Sequence, residues 1–172
     1  MTNEIDNQTG SVQGERPNFL KVLCILSFIA LGFGVLSAIG SVLGGPQSDE
    51  EMLEAQVQIA ESVSLMRDQG NEAFAHFFEQ VQDMMVDTND HHQLATWLNI
   101  LVVALGLFAV IRMWKGFRLG FHLYITYCIL SSVVMYFYVS PEHISIAFPI
   151  FSAIFSGLFI FLYSRNLHWM KK

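Results

Sequence analysis

Four long segments without Asp, Glu, Lys or Arg most constrain how this chain can fold. They cover residues 22–43, 94–111, 119–139 and 144–163, and each is 18 to 22 residues long. A transmembrane helix needs about 20 apolar residues to cross a hydrocarbon core about 30 Å thick. The chain is 53% hydrophobic and only 14% charged, whereas a soluble domain has about 25% charged residues. The sequence therefore predicts four transmembrane helices.

The first apolar segment has a competing interpretation as the core of a cleaved signal peptide. Ser37, Ala38 and Gly40 would then supply a small-residue cleavage site. The run is longer than a signal peptide needs, and the leader before it mixes acidic residues with its bases. We therefore expect this segment to be a membrane anchor.

The distribution of basic residues predicts which way the four spans face. An even number of spans places both termini on one side, together with the turn at 112–118. That side carries eight of the nine bases, which are Arg16, Lys21, Arg112, Lys115, Arg118, Arg165, Lys171 and Lys172. Arg67 alone lies on the other side. Basic residues concentrate in short cytoplasmic loops, so both termini are predicted to be cytoplasmic and residues 44–92 extracytoplasmic.

The segment between the first two spans is acidic and has the pattern of two helices. Residues 44–92 hold 11 of the chain's 15 acidic residues, so with Arg67 their net charge is 1 − 11 = −10. Ser48 and Glu51 have the spacing of a capping box, Gly70 is a helix stop, and residues 87–90 are typical of a turn. The sequence predicts a helical hairpin with helices at about 49–69 and 71–87.

Each predicted hairpin helix has an apolar stripe. The first contains Met52, Leu53, Val57, Ile59, Ala60, Val63 and Met66, and the second contains Phe74, Phe77, Phe78, Val81, Met84 and Met85. Such stripes at three- and four-residue intervals bury one face of a helix. We expect the two stripes to bury each other, and burial in a homo-oligomer or on a separate partner remains open. The strong negative charge argues against nucleic acid as a partner.

Small residues inside the spans predict close helix packing. Ala30, Gly34 and Ala38 repeat every four residues in the first span, and Ala153 and Gly157 do so in the fourth. Ridges of this kind let helix backbones approach each other in lipid. We expect them to pack a four-helix bundle, with a homodimer face as the alternative.

The spans and loops lack the residue patterns that usually indicate chemistry. The only ionisable side chain in the four apolar segments is His122, whereas coupled transporters usually need intramembrane charges. His76, His91, His92 and His143 with nearby carboxylates could ligate zinc or copper, but no chelating motif supports a site. No nucleophile or nucleotide-binding motif is present. We therefore assign no catalytic, cofactor-binding or metal-binding residue, and predict that the chain is not an enzyme.

Three stretches carry a resemblance to a group of known sequences. They are PNFLKVLCILSFI at 17–29, MWKGFRLGF at 113–121 and FLYSRNL at 161–167. Together they resemble an uncharacterised family of small four-span bacterial inner-membrane proteins. The resemblance implies the topology and a bacterial cytoplasmic membrane, and it implies no activity.

The sequence as a whole predicts an all-α fold, an integral membrane four-helix bundle with an extracytoplasmic helical hairpin between the first and second spans. The expected parts are a disordered tail at 1–18, spans at 19–43, 93–113, 117–139 and 144–164, the hairpin segment at 44–92, and a basic tail at 165–172. The leading functional hypothesis is a non-enzymatic accessory or scaffold protein. An oligomeric transporter or channel for small solutes or lipids is the alternative, and an extracytoplasmic metal-binding protein is the third.

Overall fold

A computed structural model describes residues 17–170 of the protein, and this part contains helices and no strand. The helices are α1 (Asn18–Gly44), α2 (Asp49–Asp68), α3 (Glu72–Asp90), α4 (His92–Trp114), α5 (Arg118–Val133) and α6 (Ala147–Ser164), with a short 3-10 helix, Val134–Phe137, after α5. The expectation of an all-α fold is confirmed for these residues.

Four of these helical segments are long and apolar enough to cross a membrane. They are Asn18–Gly44, His92–Trp114, Arg118–Phe137 and Ala147–Ser164, and they coincide with the four charge-free segments of the sequence. Most of their large apolar side chains are exposed on the surface of the chain. In water this surface would be unfavourable, whereas lipid tails solvate it without cost.

The fourth apolar helix begins later than expected. It was predicted from residue 144, but the chain forms turns after the 3-10 helix, and α6 starts at Ala147. Pro149 consequently lies in the first turn of α6. Backbone N–H groups in the first turn of a helix have no partner within that helix, so a proline, which lacks this N–H, costs no hydrogen bond there. The proline therefore lies at the start of α6 and not in its interior.

The expected turn at 87–90 is also wrong. Helix α3 continues to Asp90, and α4 starts at His92 with only His91 between them. The φ of −107° and ψ of 28° at His91 interrupt the helical path. The side chain of Asp90 does not cap α4, since the N-cap residue is His91 and its side chain makes no capping hydrogen bond.

Helix α4 is the centre of the apolar helices, because it packs along both α1 and α5. Gly106 lies so close to α1 and α5 that an added Cβ would be 2.7 Å from Leu31 and 2.9 Å from Tyr127. The main core lies toward the terminal side, where α1 begins and α6 ends. It contains Leu20, Leu23, Cys24, Leu31, Ala109, Val110, Met113, Phe121, Tyr124, Cys128, Tyr163 and Met170.

Helix α6 is attached mainly at two places. Tyr163 is its one buried residue, and the Tyr163 hydroxyl hydrogen-bonds Ser27 of α1 at 2.9 Å. Nearer the other end, the hydroxyls of Ser152 and Ser132 of α5 are 2.7 Å apart. These polar contacts link α6 to the other apolar helices.

The small-residue ridges are only partly used within the chain. Ala38 is buried, and a Cβ on Gly34 would lie 3.1 Å from Val103 of α4. Ala30, Ala153 and Gly157 are exposed. Only part of the α1 ridge is therefore packed within the chain, with Gly34 against α4, whereas the ridge of α6 faces no other helix among residues 17–170.

The two predicted tails differ in how much of them the structure describes. The expected disordered tail at 1–18 lies outside the described residues except for 17–18, as do the final two residues of the basic tail. Residues 165–170 form turns against the helix ends, with Met170 buried. The Arg118 Nε donates to the Met170 carbonyl at 3.0 Å, so this part of the tail is packed.

Replacing Gly120 by alanine is expected to destabilise the fold. The added Cβ would be 2.5 Å from the Met113 nitrogen and 2.8 Å from the Ala109 oxygen, both in the backbone of α4. A backbone cannot rotate away, so α4 and α5 must separate, at a cost of about 1–3 kcal/mol. Gly157→Ala is the matched control, since nothing lies within 4 Å of its added Cβ. Size-exclusion chromatography after heating in detergent should show earlier loss of folded Gly120→Ala, and equal stability of both variants would contradict this packing.

Candidate functional site

The most polar group of tertiary contacts lies on the loop side, defined here as the side where α1 ends and α4 begins. Six residues from four parts of the chain meet there, and together they are called the junction: Gln47, Asp87, Asn89, His92, Ser140 and His143. The junction connects α2 and α3 to the ends of the apolar helices. It therefore determines how the acidic segment is held.

Asp87 of α3 holds the connection between α5 and α6. One of its oxygens, Oδ2, accepts hydrogen bonds from the Ser140 backbone N–H and from His143 Nδ1, both at 2.8 Å. Partial burial would raise the pKa of Asp87, but these two hydrogen bonds outweigh it and keep that pKa below its usual value. The same contact with Asp87 raises the pKa of His143. Asp87 and His143 thus form an ion pair when the histidine is protonated.

A second contact holds the segment between α1 and α2 against the end of α3. The backbone N–H of Gln47 donates to Asn89 Oδ1 at 2.8 Å, and Asn89 Nδ2 donates to the Gln47 carbonyl at 3.2 Å. The side-chain amide of Asn89 thus makes two hydrogen bonds with the Gln47 backbone, as a neighbouring backbone would in a β-bridge. On α4, His92 Nε2 donates to the Ser41 carbonyl near the end of α1 at 3.0 Å.

The local sequence explains why Gln47 reaches α3. Gly45 adopts a φ of 70°, which only glycine reaches easily, and this conformation ends α1. Ser48 and Glu51 then form the predicted capping box at the start of α2, with the Glu51 carboxylate 2.9 Å from the Ser48 nitrogen. These hydrogen bonds lower the pKa of Glu51, so it is ionised at neutral pH. The turn between α1 and α2 is therefore fixed on both sides of Gln47.

A cleft of about 660 Å³ opens beside the junction, and it is called the junction cleft. Its volume is within the usual range for small-molecule sites. One wall is the last part of α1, another is the inward side of α3, and Glu51 and His92 line its polar end. The lining residues are Ser37, Gly40, Ser41, Gly44, Gly45, Pro46, Gln47, Glu51, Val81, Met84, Met85, Thr88, Asn89 and His92.

The apolar stripe of α2 divides into two faces. Met52 and Val63 are buried, and α2 packs along α3. Leu53 and Val57, in contrast, are 62% and 59% exposed, and Ala60 is exposed beside them. The expectation that the two stripes bury each other is therefore only partly correct, because the stripe is wider than the face that one neighbouring helix can cover. Leu53, Val57 and Ala60 are called the α2 strip.

The aromatic residues of α3 also do more than pack on α2. Phe77 stacks on Phe148 at the start of α6, with ring centroids 5.5 Å apart, and it contacts Phe78 edge to face. Phe74 is 63% exposed. The stripe of α3 thus joins the acidic segment to α6, a contact that the sequence pattern did not indicate.

Arg67, the only base of residues 44–92, joins α2 to α3 at the far end of the acidic segment. Its guanidinium is 2.7 Å from a Glu79 oxygen and 3.4 Å from a Glu72 oxygen. The hydrogen bond from Arg67 lowers the pKa of Glu79. Because these groups are exposed to solvent, the pairs orient the helix ends more than they stabilise them.

The four histidines considered as metal ligands do not converge. His76 lies 3.6 Å from a Glu79 oxygen. His91 donates to the Asp87 carbonyl, His92 to the Ser41 carbonyl and His143 to the Asp87 carboxylate. Across residues 17–170, no three His, Cys, Asp or Glu side chains form a group that could hold a metal ion. His122, the histidine of the apolar segments, donates to the Arg118 carbonyl one helical turn earlier.

No protein-family model, no curated protein and no solved structure matches the chain. The resemblance to small four-span bacterial membrane proteins is therefore still a proposal.

Sequence patterns indicated some components of the junction but not their pairing. Asp87 and His143 appeared as a turn residue and a metal candidate, and the structure pairs them across 56 positions. The sequence did not indicate the contact between Gln47 and Asn89. A side-chain amide that pairs with a backbone peptide group 42 positions away leaves no recognisable spacing in the sequence. Only the capping box was evident locally.

The Asp87–His143 pair is expected to stabilise the protein most at mildly acidic pH. Asp87 contributes above its unfolded pKa of 3.8, and this contribution is lost as pH falls through its lowered folded value. His143 contributes fully below its unfolded pKa of 6.5, and this contribution is lost as pH rises through its raised folded value. The stability difference between the natural chain and Asp87→Asn should therefore be larger at about pH 5.5 than at about pH 8.5.

Heating in detergent followed by chromatography at both pH values measures this difference. Glu142→Gln is the matched control, since Glu142 lies near His143 and raises its pKa only through space. It removes a carboxylate without breaking the pair, so its effect should depend much less on pH. A stability difference for Asp87→Asn that is the same at both pH values would contradict the ion pair.

Proposed function

We propose that the chain is a multi-pass protein of a bacterial cytoplasmic membrane that acts as a non-enzymatic accessory or scaffold protein. In this proposal α1, α4, α5 and α6 form a four-helix bundle in the bilayer, with both termini in the cytoplasm. Helices α2 and α3 form an extracytoplasmic hairpin, and the α2 strip is the surface that docks a partner protein. The main observation behind this proposal is that Leu53 and Val57 are exposed on α2, a helix that the junction holds in place.

The surroundings of the α2 strip indicate the chemistry of the partner. Glu50, Glu54 and Glu61 are exposed and lie one helical turn from strip residues, where side chains three and four apart are neighbours. Apolar residues with a charged rim are typical of protein interfaces. A fitting partner therefore presents an apolar segment bordered by lysine or arginine.

The anchoring of α2 and α3 supports a docking role. Four separate links hold them: Gln47 with Asn89, Asp87 with His143, Phe77 with Phe148, and Arg67 with Glu79. A surface that is ordered before binding loses less conformational entropy when a partner arrives. The hairpin is thus suited to present the strip in one orientation.

The polar groups within the apolar helices support a function outside them. Ser27 pairs with Tyr163, and Ser132 pairs with Ser152. Each hydroxyl thereby serves as a link between helices, a common use of polar residues in membrane bundles. For this reason we place the function on the extracytoplasmic helices.

The proposed orientation predicts which cysteines an impermeant thiol reagent reaches in intact cells. Gly70 and Gly116 mark the relevant turns but have φ values of 77° and 81°, so a cysteine there would be strained. We therefore choose Asn71→Cys, next to Gly70, and His168→Cys, in the C-terminal tail. Both positions are exposed, and neither change removes any of the nine basic residues. Asn71→Cys should be labelled in intact cells, and His168→Cys only after the cells are opened. The unaltered chain, whose two cysteines are buried, gives the background, and the reverse pattern would refute the orientation.

The docking proposal predicts that a photoreactive residue at position 57 crosslinks a partner in native membranes. A discrete adduct should form with the photoreactive residue in place of Val57 and be lost when Leu53→Asp is added, because an aspartate would leave a buried charge in the interface. Gln58 is the matched control, since it is exposed on α2 but lies outside the strip. It should give a weaker adduct or none.

Two outcomes would contradict docking of a separate partner at the α2 strip. Equal adducts from positions 57 and 58, or an adduct that persists with Leu53→Asp, would mean that the strip is not the contact. An adduct of twice the 19.5 kDa chain mass would assign the strip to a homo-oligomer instead.

A further inference from the structure

The junction cleft extends across the level where the apolar part of α1 gives way to polar chain. Its lining on α1 runs from Ser37 to Gly44, the last residue of the helix. These eight residues of helix span about 10 Å along the axis. If α1 spans a bilayer, as the proposed function holds, the deep end of the cleft lies among acyl chains and its shallow end lies among headgroups.

The lining of the cleft changes in chemistry along the same direction. Gly40 and Ser37 form an open, small-residue surface at the deep end, and nothing lies within 4 Å of a Cβ added at Gly40. Met84 and Met85 supply flexible apolar contacts from α3, of the kind that adapt to varied ligands. Thr88, Asn89 and Glu51 line the polar end.

The charge around the polar end favours a cation. Glu51 is the only acidic or basic residue that lines the cleft apart from His92. The Ser48 N–H and hydroxyl both donate to its Oε2, so Oε1 has no hydrogen bond among the described residues. Helix α1 ends at Gly44, which also lines the cleft, and a helix C-terminus carries partial negative charge. An ammonium group would be stabilised there.

From these observations we infer that the junction cleft binds one membrane phospholipid with a primary ammonium headgroup. The ammonium pairs with Glu51 and the α1 carbonyls, and one acyl chain lies along the small-residue surface at Gly40 and Ser37. This inference rests on the membrane placement in the proposed function, and it is independent of whether the α2 strip docks a protein. It assigns the cleft to a lipid because only an amphipathic ligand matches both ends.

Native mass spectrometry of the purified chain in detergent tests the inference with defined lipids. Phosphatidylethanolamine and phosphatidylglycerol of identical chains are added in equal amounts, and the retained adducts are compared. The ethanolamine lipid should be retained about tenfold more than the glycerol lipid, since a charge-assisted hydrogen bond contributes enough for such a ratio. Glycerophosphoethanolamine, which has the headgroup without acyl chains, should not displace the bound lipid at equal concentration.

Two variants and one control locate the binding. Glu51→Gln removes the charge but keeps a capping box, in which glutamine substitutes for glutamate, and it should abolish the preference for the ethanolamine lipid. Gly40→Leu fills the deep end and should remove retention of either lipid. Gly32→Leu makes the same change on the same helix, also with nothing within 4 Å, and should retain the lipid.

Each contrary result has a distinct meaning. Equal retention of the two lipids by the natural chain, loss of retention in Gly32→Leu as well as in Gly40→Leu, or an unchanged preference in Glu51→Gln would overturn the assignment of the cleft. Displacement by glycerophosphoethanolamine would replace the phospholipid by a small soluble amine. A chain that stays soluble without detergent would instead overturn the membrane placement, on which both the lipid site and the proposed function depend.

Discussion

The close approach of α4 to its neighbours is the constraint on which the arrangement of the apolar helices depends. Gly106 leaves space for Leu31 and Tyr127, and Gly120 brings the backbone of α5 against that of α4. In the proposed membrane placement the hydrophobic effect does not drive these helices together, so tight packing and polar links must do so. Glycine at these two contacts permits the packing, and the pairing of Ser27 with Tyr163 adds a polar link near the core.

The two ends of the helices are stabilised by different physics. Toward the terminal side, buried apolar and aromatic side chains form the core, and Met170 closes it. Toward the loop side, hydrogen bonds of the junction hold α2, α3 and the α5–α6 connection. The core end relies mainly on apolar packing, to which Ser27 with Tyr163 and Arg118 with Met170 add polar contacts, whereas at the loop side the junction cleft separates α1 from α3 and hydrogen bonds hold the parts together.

The sequence predicted the helices better than their contacts. Charge-free runs of sufficient length identify apolar helices directly, and the capping box at Ser48 located the start of α2 to the residue. The predicted turn at 87–90 failed because polar residues can also continue a helix, and Asp87 and Asn89 lie half-buried at the end of α3, where they make the hydrogen bonds of the junction. Gln47 with Asn89 and Phe77 with Phe148 could not be predicted, since only the folded chain brings these distant positions together. Which residues of the α2 stripe remain exposed likewise depends on the position of α3 in the folded chain.

The acidity of residues 44–92 explains how an apolar strip can remain exposed. With a net charge of −10, two copies of this segment repel each other, and such repulsion keeps proteins apart in solution. This repulsion opposes the close approach of two copies at Leu53 and Val57. The same charge would attract a partner with basic residues around an apolar segment. In the proposed function, acidity and the exposed strip therefore act together, because the charge disfavours other copies of the chain and the strip provides the contact area for a partner.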